Sequence, residues 1–401
     1  MNGFRFPPLL VRRPRRSLDP YLALLIALTA GALAWVGDRV LPPWALSGAR
    51  RAAAQEPSPP GFLALPLLNS LGDSPACRSV VGLQNLGDEA AQGIVVIWEG
   101  QSPGLPCAGP LQVQCTGLLA PGATWTLQGA QLPGFSRSAM VFSVSTRRLS
   151  ELGVDLGFDE SAANYLCATL SSDQLLRNCD AFARFRSAWA TGGTFAGLPL
   201  GLAAGPPLAA EVLRHCTSAQ TPGLEVSSAY AASWRMAAVA AGPHDYLAAP
   251  VRVPAEPLSS YVYLQNLGAQ PALAAVGFHA DGSCAPARSC GNVTILPGVT
   301  ATVPLDGCVP AGAVGGLSIR SDSPLAVAVD QEGADSLSTV EGTDAADWGT
   351  RLVGAPSPDA ARGWTSSTIV QSPPDAARPT RLRIAYLDRD GLTLDSVEQT
   401  L

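Results

Sequence analysis

Cysteine is the residue type in this sequence with the widest range of possible chemistry, because a thiol can form a disulfide, bind a metal or act as a nucleophile. The 401 residues include nine cysteines and three histidines. No Cys-x-x-Cys pair occurs, and His215, His244 and His279 stand far apart in the sequence. This spacing disfavours a zinc site, and nine cysteines favour disulfides in any chain that reaches an oxidising compartment.

Sequence spacing also predicts disulfide partners. Two cysteine pairs fall in equivalent predicted loops, so we expect each pair to close locally: Cys107 with Cys115, and Cys284 with Cys290. Cys167 is expected to pair with either Cys179 or Cys216. The odd count leaves at least one thiol free, with Cys77 and Cys308 unassigned, and a bond between Cys77 and Cys115 stays open.

The other motifs with catalytic potential are weak. Gly72-Asp73-Ser74 resembles the start of one esterase motif but lies in a loop before a predicted strand. The sequence LDRDG at Leu387–Gly391 resembles part of a calcium loop but lacks the first ligand position and the distal Glu. All 26 basic residues are arginine, which excludes a P-loop lysine and a Schiff-base lysine. The sequence therefore predicts no catalytic residue, no metal site and no cofactor.

Glycine and proline are abundant, with 40 Gly and 35 Pro, while charged residues make up only 14% of the chain. A hydrophobic content of 47% is enough to fill protein cores. Frequent turn residues and few charges fit short strands better than long helices, so we expect a mainly β fold.

Charge is divided unevenly along the chain. Eight arginines and two aspartates lie before residue 55, which leaves 18 Arg against 30 Asp and Glu, a formal charge of −12, in the remainder. An acidic body repels phosphate backbones, so we do not expect a nucleic-acid partner.

Residues 1–54 have the order of an export signal. The arginine-rich stretch Arg12–Arg16 precedes residues 20–37, which carry no charge. This order predicts a signal peptide, or a signal anchor that holds residues 20–37 as a hydrophobic helix in the membrane if it is not cleaved. Residues 55–61 are typical of a Pro-rich linker. Either alternative places the rest of the chain at the cell surface or outside the cell.

The pentapeptide LQNLG occurs twice, at Leu83–Gly87 and at Leu264–Gly268. Each copy is followed in the same order by strand-like segments, a pair of cysteines and a Pro-Gly dipeptide. Each is also preceded by a similar apolar segment, FLALP at Phe62–Pro66 and YLAAP at Tyr246–Pro250. A third copy begins with RLVGAP at residue 351.

We interpret these recurring residues as a structural joint, because a ligand-binding motif would not need its neighbouring strands repeated with it. The leucine can point into a core, and Asn and Gly favour the turn that ends a strand. The Pro-Gly dipeptide is typical of a second turn. The predicted turn residues are Gln84, Asn85, Gly87, Gln265, Asn266, Gly268, Pro121, Gly122, Pro297 and Gly298.

The repeat predicts tandem immunoglobulin-like antiparallel β-sandwiches, with closed barrels as the structural alternative. The predicted divisions are β-sandwich 1 at residues 62–245, β-sandwich 2 at residues 246–346 and an incomplete third repeat at residues 347–401. The first copy is longer than the second, so we expect it to hold a helical insertion at about residues 153–222.

Apolar spacing predicts the main helix of this insertion at Ser171–Gly193, capped at its start by Ser172 and ended by glycine. A shorter helix is possible at Leu208–Cys216. Val226–Trp234 is expected to be a strand that rejoins the first sandwich, with the helices packed on that sandwich.

The segment from Cys77 to about Asp155, with DESAANYLCATL and GGTFAGLPL after it, resembles the repeat domains of large exported proteins from filamentous green non-sulfur bacteria. The resemblance covers most of the chain beyond Phe62. It implies an envelope or surface component, and it brings no catalytic residues with it.

The sequence thus predicts a non-enzymatic surface or envelope protein that acts in adhesion, envelope structure or contact with an envelope glycan or another surface protein. Trp98, Trp125 and Trp364 are candidates for sugar contact, although tryptophan in such strands is more often part of the core. The alternative is an exported hydrolase with a site between the helical insertion and the first sandwich. A cleft there with convergent polar groups would favour that alternative.

Overall fold

The computed structural model describes residues 61–68, 78–99, 112–128, 137–155, 157, 162–172, 178–217, 221, 225–232, 234–236, 242–252, 260–280, 288–332, 337–344, 381–387 and 393–400. The chain divides into two compact units, residues 1–56 and residues 57–401. All described residues belong to the second unit. The predicted signal or anchor segment and nearly all of the Pro-rich linker lie outside them.

The first part of this unit forms two antiparallel sheets and a short hairpin. Its strands are β1 (Gly61–Leu65), β2 (Arg78–Asn85), β3 (Ala91–Glu99), β4 (Gln112–Cys115), β5 (Thr124–Gln128), β6 (Arg137–Ser145), β7 (Thr194–Phe195), β8 (Leu198–Pro199), β9 (Leu208–Thr217), β10 (Glu225–Ala232) and β11 (Trp234–Met236). Sheet I has the order β11-β1-β6-β3-β4, and sheet II has the order β10-β9-β2-β5. Together we call them the first sheet pair.

The second part forms two more antiparallel sheets. Its strands are β12 (His244–Arg252), β13 (Ser260–Asn266), β14 (Ala272–Ala280), β15 (Arg288–Ile295), β16 (Thr300–Pro304), β17 (Val314–Ser321), β18 (Leu325–Glu332), β19 (Leu337–Glu341) and β20 (Thr343–Asp344). Sheet III has the order β15-β14-β17-β12-β20, and sheet IV has the order β16-β13-β18-β19. These two sheets are the second sheet pair.

The two sheet pairs have matching strand orders. When β1 to β6 are matched with β12 to β17, and β9 to β11 with β18 to β20, sheet I reproduces sheet III and sheet II reproduces sheet IV. The prediction of a mainly β fold is confirmed, and antiparallel sheets packed in pairs fit a β-sandwich. A separate hairpin, β21 (Arg381–Leu387) and β22 (Thr393–Thr400), pairs antiparallel near the C-terminus. The start of the predicted third repeat, residues 345–380, lies outside the described residues.

Among the described residues, four helices lie between β6 and β9, and all four belong to the first sheet pair. They are α1 (Thr146–Asp155), α2 (Ala162–Leu170), α3 (Cys179–Thr191) and α4 (Leu200–Ala203). The matching connection between β17 and β18 is only residues 322–324, which is too short for a helix. No helix among the described residues is long and apolar enough to cross a membrane.

Two details of the predicted insertion were wrong. The main helix begins at Cys179, because the side chain of Asn178 caps it by accepting from the Ala181 amide at 3.1 Å. The predicted cap, Ser172, instead donates its hydroxyl to the Thr169 carbonyl at the end of α2. Gly192 ends the helix as predicted, with φ of 68°. The predicted short helix at residues 208–216 is strand β9, whose side chains alternate between buried and more exposed positions with the period of a strand. The returning strand is present as β10.

The helices cover one face of sheet I. A core between sheets I and II holds residues such as Leu63, Val95 and Val212. A second cluster lies on the opposite face of sheet I, where Phe142 packs against Phe185 of α3 with ring centroids 5.0 Å apart. Sheet I is therefore buried on both faces, which explains why β3 and β6 read as nearly continuous apolar runs.

No helix within the described ranges covers sheet III, and the sequence of its strands reflects that. On the helix-covered face of sheet I the side chains include Phe62, Ile94, Val96, Trp98, Met140 and Phe142. The strand registers match these positions to Asp245, Ala275, Gly277, His279, Ser318 and Arg320 on the outer face of sheet III. The same strand framework thus carries an apolar face on sheet I, where helices pack, and a more polar face on sheet III, where no described helix packs.

The predicted local disulfides were wrong. Cys115 of β4 bonds to Cys167 of α2, and Cys290 of β15 bonds to Cys308. Cys216 is also disulfide-bonded. The helices that pack on sheet I bring Cys167 to β4, with a Cα–Cα distance of 6.3 Å, so partners distant in sequence meet in space. These bonds exclude the predicted pairs Cys107–Cys115 and Cys284–Cys290, the expected bonds from Cys167 to Cys179 or Cys216, and a bond from Cys77 to Cys115. Cys107 and Cys284 themselves lie outside the described residues.

Candidate functional site: the repeated joints and the interface

The first LQNLG segment ends β2 in a turn that the side chain of Asn85 holds together. Its amide nitrogen donates to the carbonyls of Glu89 at 2.8 Å and Leu119 at 3.0 Å, and its carbonyl oxygen accepts from the Gly87 amide at 2.9 Å. Asn85 is buried, so these bonds satisfy a side chain that would otherwise be costly to bury.

The second LQNLG segment makes the same bonds at the matched positions. The Asn266 amide nitrogen donates to Gln270 at 2.7 Å and to Ile295 at 2.9 Å, and the Gly268 amide donates to Asn266 Oδ1 at 2.7 Å. Each asparagine is enclosed by its own sheet pair. The two side chains therefore act as joints that tie the end of one strand to the chain four residues ahead and to the residue two positions before the Pro-Gly turn.

The Pro-Gly dipeptides complete each joint. Gly122 and Gly298 have φ of 74° and 80°, and each follows proline in a turn closed by a hydrogen bond across four residues. Their amides donate to the backbone carbonyls of Asn85 and Asn266, both at 2.9 Å. This geometry fits a type II turn, in which glycine provides the positive φ. The structure thus brings the predicted turn residues together within each sheet pair.

The glutamines of the two motifs differ in their surroundings. Gln84 is exposed and donates to Gly122 at 3.3 Å. Gln265 is buried, and its amide donates at 3.2 Å both to Gly298 and to Ala139 of the first sheet pair. The outer face of sheet IV therefore docks on the first sheet pair, while the matching face of sheet II does not dock in this way.

Trp98 and Gly298 meet at this interface. Trp98 is fully buried at the end of β3, and its ring lies edge-on to Phe182 of α3 with centroids 4.8 Å apart. A Cβ on Gly298 would come within 2.7 Å of the indole. The Pro-Gly turn of the second joint is therefore packed directly against the aromatic cluster of the first sheet pair, and Trp98 is a core residue.

Arg186 of α3 also reaches the second joint. Its Nη1 donates to the Gly268 carbonyl at 2.9 Å, and its guanidinium lies over the Phe62 ring at 5.6 Å from the centroid. Burial lowers the pKa of Arg186 to about 10. A buried cation that donates to the motif glycine indicates that the LQNLG turn of the second pair serves as a docking element.

A buried ion pair links the two sheet pairs at another point. Arg214 of β9 contacts Asp330 of β18, and their side chains are 1% and 0% exposed. Thr339 donates to Asp330 at 3.0 Å and lies 2.8 Å from the hydroxyl of Ser228. The strand registers match Arg214 to Gln331 and Asp330 to Leu213, so the second copy does not repeat this pair.

The histidines lie on separate strands, each near a hydroxyl or a carboxylate. His215 Nδ1 lies 2.8 Å from Ser227 Oγ on the exposed surface of sheet II. His279 Nε2 lies 2.9 Å from Ser318 Oγ on sheet III, and partial burial lowers the pKa of His279. His244 lies 3.7 Å from Asp344. Within the described ranges, no group of three or more His, Cys, Asp or Glu residues could hold a metal ion.

Several sequence candidates lie elsewhere. Gly72-Asp73-Ser74, Trp364 and most of the LDRDG segment are outside the described residues, while Trp125 is half-buried and packs against the core between sheets I and II. The region between α3 and sheet I is filled by the rings of Phe142, Phe182 and Phe185. It is a packed aromatic core.

The sequence interpretation missed Arg186, Arg214 and Asp330. Arginine on a helix is usually solvated, but Arg186 is only 9% exposed. A signal existed in the second copy, where β13 reads SYVYLQN and is apolar on both alternating faces. A strand with apolar residues on both faces is usually buried on both sides, so this pattern predicts that β13 lies at an interface.

Comparison with known proteins assigns this chain to no family. No protein-family description and no curated protein matches it. Among solved structures, the α-L-rhamnosidase of Streptomyces avermitilis aligns at 11% identity over 71% of this chain and 29% of that chain, with a TM-score of 0.15. The oxalate decarboxylase of Bacillus subtilis aligns at 10% identity over 71% of both chains, also with a TM-score of 0.15. The chain spans less than a third of the rhamnosidase, and likenesses this weak carry no argument about fold or function.

Proposed function

We propose that the chain is a non-enzymatic, exported protein of the cell surface or envelope, built from tandem immunoglobulin-like sandwiches and acting in adhesion, envelope structure or contact with a glycan. The observation that carries this proposal is the use of the repeated residues. The side-chain polar atoms of Asn85 and Asn266 make the same hydrogen bonds inside their own sheet pairs, so the recurring motif has a structural role.

The disulfides support export, because such bonds form and persist in oxidising environments. The buried contacts of Gln265, Arg186 and Asp330 support a fixed arrangement of the two sheet pairs. The aromatic packing between α3 and sheet I supports a structural role for the helices over a hydrolase site there.

Export and binding can be tested together on cells that produce the full chain. We expect protease added outside intact cells to digest it, and the chain extracted in mild detergent to be retained by an isolated envelope polysaccharide or surface protein. Protection from external protease would contradict the proposal. Hydrolysis of ester or glycoside substrates, lost on substitution of one serine or aspartate, would favour the hydrolase alternative.

A further inference from the structure

The outer face of sheet II points away from the core between sheets I and II. On β9, Ala210 and Val212 belong to that core, so the side chains of Glu211 and Leu213 point outward. On β10, the core residue Tyr230 is flanked by exposed residues that point outward in the same way. We call the surface formed by Val80, Glu211, Leu213, His215, Ala229 and Ala231 the sheet II face.

The matching face of sheet IV is covered by protein. The strand registers match Gly82 to Tyr263 and Glu211 to Ala328. Tyr263 and Ala328 are fully buried in the core between sheets I and II. In the second copy the framework therefore presents this face to another sheet pair, whereas in the first copy Glu211 on the same face is exposed.

The centre of the sheet II face is a row of small and apolar side chains. In the strand registers Leu213 lies between Ala229 of β10 and Val80 of β2. The outer face of sheet III differs, because Asp245 and Arg320 form an ion pair there. A row without charge or bulk allows a second sheet to approach, as it does when two sheets pack face to face.

Glu211 and His215 lie on β9 two residues to either side of Leu213. A two-fold axis that passes Leu213, in the plane of the face and perpendicular to β9, would bring Glu211 of one copy opposite His215 of the other. Ser227 Oγ lies 2.8 Å from His215 Nδ1. When that hydroxyl donates to Nδ1, the Nε2–H group of His215 remains able to donate to a carboxylate. The sheet II face is therefore complementary to itself.

We propose that the sheet II face is the interface of an isologous dimer, in which it packs against the same face of a second copy of this chain. Leu213, Val80 and Ala229 form the apolar centre, and Glu211 pairs with His215 of the other copy on each side of it. An apolar centre with polar pairs around it is the usual composition of such interfaces. The two-fold arrangement closes the contact at two copies.

A cysteine cross-link tests the position of the axis in the full chain, extracted in mild detergent. Leu213→Cys places a thiol near the axis, so we expect mild oxidation to form a covalent dimer well above the level of the unsubstituted chain. Leu273→Cys is the matched control, because Leu273 is 53% exposed on sheet III, and it should give no such increase. A covalent dimer with Leu273→Cys and none with Leu213→Cys would overturn the proposal.

Charge exchange tests the pairing of Glu211 with His215. In sedimentation velocity over a concentration series, Glu211→Arg should raise the dissociation constant of the dimer at least about tenfold, because the introduced arginine faces His215 twice. His215→Glu should weaken the dimer in the same way. The variant with both substitutions should return to within about threefold of the unsubstituted chain, since opposite groups again face each other.

Unchanged circular dichroism will show that each variant folds. A chain that stays monomeric throughout the concentration series would overturn the proposal. So would a dimer whose dissociation constant does not respond to Glu211→Arg, because the copies would then associate through another surface. Failure of the double variant to regain affinity would exclude the pairing of Glu211 with His215 and with it the proposed axis.

Discussion

Asn85 and Asn266 make the same side-chain hydrogen bonds in two sheet pairs, although 181 residues separate them in the chain. Each amide donates to a carbonyl four residues ahead and to the residue two positions before Pro121 or Pro297. Because the matched bonds are internal to each sheet pair, the repeated pentapeptide explains how strands are joined. The contacts that differ between the copies, at Gln265, Gly298 and Gly268, explain how the pairs are held together.

The first prediction distinguishes the backbone strain of a Pro-Gly turn from the packing of that turn at the interface. Gly122 and Gly298 both have positive φ, but only a Cβ at position 298 would meet Trp98, whereas nothing lies within 4 Å at position 122. Gly122→Ala should cost about 1–2 kcal/mol through backbone strain alone. Gly298→Ala should cost roughly 1–3 kcal/mol more because the indole must move. Urea unfolding of both variants measures this difference, and equal losses would show that the turn is not packed against Trp98.

The second prediction concerns the buried ion pair. Arg214→Met and Asp330→Leu should each destabilise the chain by about 3–5 kcal/mol, because each removes one partner of a buried ion pair. The double variant should recover most of that loss, since both charges are then removed. A double-mutant cycle on the free energy of unfolding measures the coupling.

Arg147→Met is the control for the ion pair, because Arg147 forms an exposed pair with Glu151 that should contribute less than about 1 kcal/mol. Additive losses in the Arg214 and Asp330 double variant would contradict a direct buried interaction between the two sheet pairs.

The third prediction is a pH dependence from His279. Partial burial lowers the pKa of His279 below its usual value of 6.5, so the unfolded chain takes up this proton at a higher pH than the folded chain. Well above pH 6.5 the imidazole is neutral in both the folded and the unfolded chain, so it does not change the free energy of unfolding. Stability should fall as the pH drops through 6.5 toward the folded pKa, and His279→Gln should flatten this part of the profile.

The free energy of unfolding of the unsubstituted chain and of His279→Gln is measured with urea between about pH 7.5 and about pH 5. The difference between the two profiles isolates the contribution of His279 from those of the other titrating groups. Ser318→Ala retains the imidazole and should retain the slope. Identical profiles for His279→Gln and the unsubstituted chain would contradict the assignment.

The fourth prediction concerns the disulfides. Cys290→Ser with Cys308→Ser opens a link across a sequence separation of 18 and should lower the free energy of unfolding by about 3 kcal/mol. Cys115→Ser with Cys167→Ser opens a link of 52 and should cost about 4 kcal/mol, and it should also loosen α2 from β4. Denaturant unfolding measures both losses. Full stability of either double variant under oxidising conditions would count against the corresponding bond.

Local features of the fold could be predicted from the sequence because local chemistry determines them. The LQNLG and Pro-Gly turns need Asn and Gly at fixed places, and those residues occur in both copies. The segment LAAEVLRHC is rich in residues that favour helices, which predicts a possible helix, but it forms strand β9 because its two-residue alternation and its pairing with β2 prevail.

Features that depend on tertiary packing could not be predicted in the same way. Cys115 has its partner in α2, and only the packing of the helices on sheet I brings the two together. The sequence match of FLALP to YLAAP is displaced by one residue. Leu63 and Tyr246 occupy matching places, opposite Val141 and Ile319, whereas the sequence aligns Phe62 with Tyr246.

The most direct test of the account is the free energy of unfolding of Asn85→Ala and Asn266→Ala, measured by denaturant titration and compared with Gln84→Ala. If the motif is a structural joint, each asparagine variant should lose about 2–4 kcal/mol, because one buried and one partly buried carbonyl lose their donor. The exposed Gln84 variant should change by less than about 0.5 kcal/mol. Asparagine variants with unchanged stability and a lost binding activity would show instead that the repeated residues form a ligand site.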